Sequence, residues 1–195
     1  MKPLELYYPC KPLGFNQRFG NPDSKYLSIG VPSGRHNGID FYAPDGTVIC
    51  ATHDGEVTFT GEDGSGGLGV VVRTLEKFDY KGKPTYFKTI YWHIKRGTFK
   101  VRPGQRVVVG DVLAYADNTG FSTGSHLHFG LKPILKGEKD WEWYNLEPDN
   151  GYNGAIDPEP YFNGKFAFDV KLSWIYRSLS ELAKSISVLA RQKKG

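Results

Sequence analysis

Glycine and proline cut the central part of this chain into short runs of β-branched and aromatic residues. Gly69-Val70-Val71-Val72, Thr89-Ile90-Tyr91-Trp92 and Arg106-Val107-Val108-Val109 are the clearest. Side chains of these types suit a pleated, half-buried surface, and the intervening Gly, Pro, Asn and Asp clusters supply tight turns. The 24 Gly, 12 Pro, 12 Phe and 12 Tyr among 195 residues push the same way, towards strands and turns rather than helices. The expectation is a mainly β fold built on a single antiparallel sheet. A chain of this length can bury one full core and carry a modest appendage.

The appendage reads differently. Leu172, Ile175, Leu179, Leu182, Ile186 and Leu189 recur at alternating steps of three and four, the seam of a coiled coil or of a docked helix. Ser173 is the expected start, and Lys193-Lys194 suits the negative end of the helix dipole. About two and a half heptads are marginal for an independent coiled coil. The helix is expected either to pack on the domain's own surface or to mediate self-association or docking to a larger particle. Three stretches follow: an irregular N-terminal lead-in, 1–35; a principal domain, 36–162; and a C-terminal amphipathic helix, 163–195.

A formal charge of +4 with no basic run longer than Lys193-Lys194 gives no clustered patch for nucleic acid, which is excluded as a partner. Cys10 and Cys50 are too few for a disulfide framework; Cys50, in Val48-Ile49-Cys50-Ala51, reads as a buried free thiol, with an interstrand disulfide as the alternative. The first ten residues contain no continuous apolar segment, and no stretch approaches membrane-spanning length, so neither a Sec signal nor a membrane span is expected in the chain as written.

The chemistry lies in the histidines. Three of the five stand in His36-Asn37-Gly38-Ile39-Asp40 and His126-Leu127-His128, and a fourth closes Tyr91-Trp92-His93. Imidazole and carboxylate are zinc ligands, and a catalytic zinc site uses three of them with one position left open. In a strand His126 and His128 share a face while Leu127 and Phe129 take the other, so one ring can hold metal while its neighbour reaches substrate. Gly34, Gly38 and Pro44 argue that His36 and Asp40 sit on loop or strand rather than on one helix face. The helical zincin pattern His-Glu-x-x-His is absent. His53, outside every motif, reads as a structural histidine.

These motifs resemble those of the lysostaphin/LytM-type zinc metallopeptidases, which cleave peptide bonds in bacterial peptidoglycan. Their His-x-Gly-x-Asp stands as His36 to Asp40, and their Gly-x-Ser-x-Gly-x-His-Leu-His-Phe as Gly120 to Phe129. Weaker echoes run from Phe15 to Phe162: Phe19-Gly20, Asp54-Gly55-Glu56-Val57, Gly66-Gly67-Leu68-Gly69-Val70, Gly104-Gln105-Arg106-Val107 and Ile156-Asp157-Pro158. The resemblance implies an open substrate groove on a duplicated hybrid-motif β fold, and a zinc endopeptidase acting on stem or cross-bridge peptides at the bacterial cell wall. It implies His36, Asp40 and His128 as zinc ligands, and His93 and His126 as the catalytic pair that orients and deprotonates water and serves the leaving amine. A silent LytM-like regulatory module and a phage-type particle component are the alternatives. Gly120 and Gly124 are expected to permit close approach to the His-x-His strand, and Ser122 and Thr123 to donate to ligand or substrate. The hairpin at 101–113 has a biotinyl/lipoyl look, but no lysine stands at its tip as a swinging arm requires. In the insertion Gly137 to Asn145, one of Trp141 and Trp143 is expected to pack into the body, with a groove-lining role as the alternative. Loops 61–69, 74–88 and 137–154 are expected to set substrate choice.

Overall fold

A computed structural model describes residues 1–192. In chain order the elements are β1 (Leu6–Tyr8), β2 (Phe15–Gln17), the short helix α1 (Lys25–Ser28), β3 (Ile39–Tyr42), β4 (Val48–Cys50), β5 (Gly55–Asp63) and β6 (Gly67–Thr74), followed by β7 (Phe78–Tyr80), β8 (Lys83–Trp92), β9 (Arg106–Val107), β10 (Val112–Tyr115), β11 (His126–Lys136), β12 (Trp143–Asn145), β13 (Phe162–Phe166) and the helix α2 (Ala167–Gln192).

The principal sheet is antiparallel, in the order β2-β3-β11-β8-β6-β5-β9, with β12 attached to β11 and β7 to β8. Period-two alternation sorts its two faces. On β11, Leu127, Phe129 and Leu131 are fully buried, and with Phe41, Val70, Val72, Phe87 and Tyr91 they form the core. A second layer, the β4–β10 ladder, closes that core with Ile49, Leu113 and Ala114. Fully burying each of these larger apolar side chains contributes about 1.5–3 kcal/mol, which pins the register. A one-residue slip of β11 would exchange its leucines for histidines. The opposite face of the sheet is the floor of an open cleft.

Both ends of the chain depart from expectation. The lead-in is not irregular throughout: Leu4 and Leu6 are buried, β1 pairs in parallel with β13, and β2 extends the principal sheet. Tyr8 stacks on Phe162 with centroids 4.8 Å apart. The apolar residues at 4–8 and 162–166 find each other, although neither group shows a clean strand pattern alone. The helix begins at Ala167 rather than Ser173. Ala167 is buried against the domain, and Lys11–Asp169 and Lys171–Asp111 ion pairs, at 2.6 and 2.8 Å, moor the first turn. Beyond it Ile175, Leu179, Leu182 and Ile186 are exposed, so those seam positions are not packed on the domain. The side chain of Leu189, and Lys193-Lys194, lie outside the described residues.

Cys10 and Cys50 are both free and buried; burial pushes each thiol up to about 12. Trp143 packs edge-on against Tyr86 while Trp141 stays exposed.

Candidate metal centre and its cleft

Antiparallel pairing of β3 with β11 sets Asp40 directly opposite His128, and the loop leading into β3 brings His36 over the same point. His36 Nε2 and His128 Nδ1 stand 2.9 Å apart, His128 Nδ1 and Asp40 Oδ1 3.0 Å, and His36 Nε2 and Asp40 Oδ1 3.1 Å. Donors held 2.0–2.1 Å from one tetrahedral cation stand about 3.3 Å apart, so this triangle is close to one face of such a shell. No other group of three or more His, Cys, Asp or Glu among the described residues converges in this way. The residues fit a divalent cation with nitrogen and oxygen preference.

The surroundings fix which atoms point inwards. A backbone carbonyl can only accept, so the contact of His36 Nδ1 with Arg18 O, at 3.2 Å, puts the ring proton on Nδ1 and leaves Nε2 a bare donor. Tyr26 stacks on the same ring at 5.2 Å and anchors its hydroxyl on Gln17. Burial of Asp40 opposes ionisation, but the adjoining His128 and His36 rings outweigh it and hold the carboxyl far below the usual range. Burial likewise depresses His128, against the attraction of Asp40. Both shifts favour the deprotonated forms of Asp40 and His128 that a cation needs. Gly38 is required by proximity: a Cβ there would lie 2.6 Å from His128 Cε1 and 2.6 Å from Phe129 O.

His93 and His126 flank this triangle, ring centroids 4.5 Å apart. His93 Nδ1 donates to Thr119 O at 2.6 Å and His126 Nδ1 to Gly124 O at 2.8 Å, which fixes the Nδ1–H tautomer of each neutral ring, and His126 Nε2 stands 3.5 Å from Asp40 Oδ2. Burial, with His128 and His126 nearby, pushes His93 down to about 4. Its backbone lies in the left-handed region, with φ +64°. For a non-glycine residue this costs about 1–3 kcal/mol, a strain that folds retain at functional positions.

The structure thus brings all five sequence-identified residues, His36, Asp40, His93, His126 and His128, to one cleft of about 830 Å³. Ser122 contacts His126 Nδ1 at 3.2 Å and donates to Gly124 O, and Thr123 lines the cleft. The glycines differ from expectation. Gly120 interlocks with Gly67, where a Cβ on either would lie within 2.4 Å of the other's backbone nitrogen, whereas nothing stands within 4 Å of a Cβ at Gly124. Gly69 is needed because the Trp92 indole lies over it, 1.6 Å from where a Cβ would be. His53 is a buried structural residue bonded to Asp54 O and Thr89 Oγ1. Sequence reasoning passed over Tyr26, Lys88, Lys132 and Asn153, which line the cleft, and Thr119, whose carbonyl holds His93; these are single residues in no motif, and only strand register and loop packing place them.

This site and sheet define a metallopeptidase-type fold, and comparison with known proteins is consistent with it. The profile of peptidase family M23 matches residues 34–140, more than half of the chain. The chain belongs to peptidase family M23. It is 31% identical over 101 residues to the glycyl-glycine endopeptidase ALE-1 of Staphylococcus capitis (52% of this chain, 25% of that protein). It is 33% identical over 133 residues to the peptidoglycan DD-endopeptidase ShyB of Vibrio cholerae (65% and 26%). The matched region therefore spans about a quarter of the length of these relatives. Among solved structures, the lysostaphin catalytic domain from Staphylococcus simulans superimposes with a TM-score of 0.56 at 22% identity, covering 76% of this chain and 91% of that one. LytU does so with a TM-score of 0.54 at 28% identity, covering 77% and 85%. The fold is thus lysostaphin/LytM-like.

Proposed function

We propose that this chain is a zinc-dependent endopeptidase that hydrolyses peptide bonds in the stem or cross-bridge peptides of peptidoglycan, and that it acts at the bacterial cell wall. The observation that carries this reading is the convergence of His36 Nε2, Asp40 Oδ1 and His128 Nδ1 on one point beside two histidines whose Nδ1 atoms are held by backbone carbonyls. His36, Asp40 and His128 would hold the metal. A zinc ion held by them would supply Lewis acidity to a substrate carbonyl and acidity to the attacking water.

The chain's own groups supply the rest. His93 is neutral near pH 7 because its pKa is depressed, so its Nε2 can accept a proton from the attacking water. His126, its Nδ1 proton engaged with Gly124 O, presents the second Nε2, which, once it takes up a proton from solvent, can donate to the oxyanion and pass that proton to the leaving amine, while His93 returns the water's proton to solvent. Thr119 O and Gly124 O hold the two rings in register and fix their tautomers. The open cleft admits an extended peptide across Trp92 and Ile90. A silent regulatory module is disfavoured by the intact ligand set and both auxiliary histidines.

Digestion of purified peptidoglycans of several cross-link types, with chelator and with zinc restored, tests the reading. Chelator-sensitive cleavage at one peptide bond, identified by mass spectrometry of the new termini, is expected. A folded, zinc-loaded protein that cleaves none of them would overturn it. Self-association or particle docking through α2 is a second proposal, supported by the exposure of Leu179, Leu182 and Ile186. Sizing chromatography of the full chain and of a chain ending before the seam tests self-association, and an unchanged monomer in both removes it. No helix among the described residues is long and apolar enough to cross a membrane.

A further inference from the structure

The floor of the cleft changes character along its length. Strand register sets His128, Trp92 and Gly69 in one row, Gly130, Ile90 and Val71 in the next, and Lys132, Lys88 and Arg73 in the third. The first row is the metal end, the second is apolar, and the third carries three cations side by side. Like charges directly opposite one another on a sheet are destabilising, so a row of this kind needs a compensating partner. Arg73 has one: it is paired with Glu56 at 3.4 Å and stacks over Trp143 at 3.9 Å.

The two lysines have no such partner. Both are half-buried and line the cleft. Lys132 spends one of its three donors on Asn153 O at 2.7 Å, and neither lysine is ion-paired among the described residues. Asp63 lines the same cleft but bonds to neither. Burial, then the charge of Lys88, pushes Lys132 down to about 8, with Asp63 opposing, and burial alone depresses Lys88. Four residues of β11 separate Lys132 from the ligand His128, about 13 Å at 3.3 Å per residue. An extended peptide bound along the floor covers that distance in about four residues.

We propose that Lys88 and Lys132 form a carboxylate subsite at the far end of the catalytic cleft, selecting peptides with a free carboxylate about four residues from the scissile bond. The proposal rests on the endopeptidase reading above. A carboxylate supplies the acceptor atoms and the negative charge that this pair lacks, and the ammonium groups can grip it from two strands as point charges. A run of glycines without a terminus offers no such group. The expected substrate class is therefore an acidic stem-type peptide rather than an uncharged bridge.

The test uses two synthetic peptides that differ only in a carboxylate or carboxamide at that position, cleaved by the zinc-loaded full chain and by Lys88→Met, Lys132→Met and double variants. The intact protein should prefer the carboxylate by about 10- to 100-fold in kcat/KM, carried mainly by KM, as expected for charge-assisted hydrogen bonds. Each single variant should cut the preference about tenfold or to parity, and the double variant should bring the ratio to one. Melting temperatures of the variants should hold or rise, because a like-charge pair has been removed. Equal cleavage of both peptides by the intact protein, or a preference that survives the double substitution, would overturn the subsite. If neither peptide is cleaved, the endopeptidase reading fails separately, and calorimetry of the same peptides with the same proteins decides the subsite. Tighter binding of the carboxylate form that is lost in the double variant supports it; equal binding overturns it.

Discussion

Gly38→Ala isolates what the metal site asks of the backbone. Its φ lies outside the left-handed region, so alanine meets no conformational barrier, and any effect must come from contact. The added Cβ would lie 2.6 Å from His128 Cε1, 2.7 Å from His128 Nε2 and 2.6 Å from Phe129 O. Unstrained contact between carbon atoms begins near 3.5 Å, so the ring or the β11 backbone must yield by about 0.9 Å. Phe129 is fully buried, so the strand resists and the imidazole takes most of the shift. Metal sites tolerate ligand displacements of about 0.2 Å, several times less. Zinc affinity should fall by about 10- to 100-fold, or 1.4–2.8 kcal/mol, and the metal-free protein should lose about 1–3 kcal/mol to overpacking. Competition against a chromophoric chelator gives the first number; urea melts with and without zinc give the second. Gly124→Ala, in the neighbouring loop with nothing within 4 Å, is the control and should leave affinity unchanged. A Gly38→Ala protein with native zinc affinity would refute the reasoning.

Three other outcomes are expected. Alanine at His36, Asp40 or His128 should abolish both zinc binding and peptide hydrolysis, whereas His93→Ala should keep zinc, measured by atomic absorption after dialysis, and lose turnover by about 100-fold or more; loss of zinc in His93→Ala would reverse the division of roles. Metal-free protein should melt at lower temperature as pH falls below about 6.5, because the unfolded chain takes up protons there while burial keeps His53, His93 and His128 neutral in the fold. His53→Gln should flatten that slope, and a slope unchanged in this variant would exclude His53 as a contributor. Thr89→Val removes the partner of His53 Nε2 and one contact of the Tyr91 hydroxyl, and should cost about 1–3 kcal/mol in urea unfolding without changing zinc affinity; a variant of native stability would show that the network contributes nothing.

The sequence alone determined the class of fold and which residues are candidates for the chemistry. The His-x-His alternation has meaning on any strand, because period two places both rings on one face whatever the neighbours are. The short apolar runs between turn residues dictated antiparallel strands by local physics. The His-x-His alternation put His126 and His128 on one face, and the histidine motifs with their family resemblance marked the other three candidates; the packing of one of the two tryptophans in the 137–145 insertion was legible as well. What the tertiary structure alone decided is relational. The pairing of residues 6–8 with 162–166, the helix start at Ala167, the interlock of Gly67 with Gly120 and the ring tautomers set by Thr119 O, Gly124 O and Arg18 O depend on partners tens of residues away. So does the row of Lys88 and Lys132, each an unremarkable lysine in its own strand. Opposed by register and half-buried, the pair acquires the proposed demand for an anion, which neither residue has in the sequence.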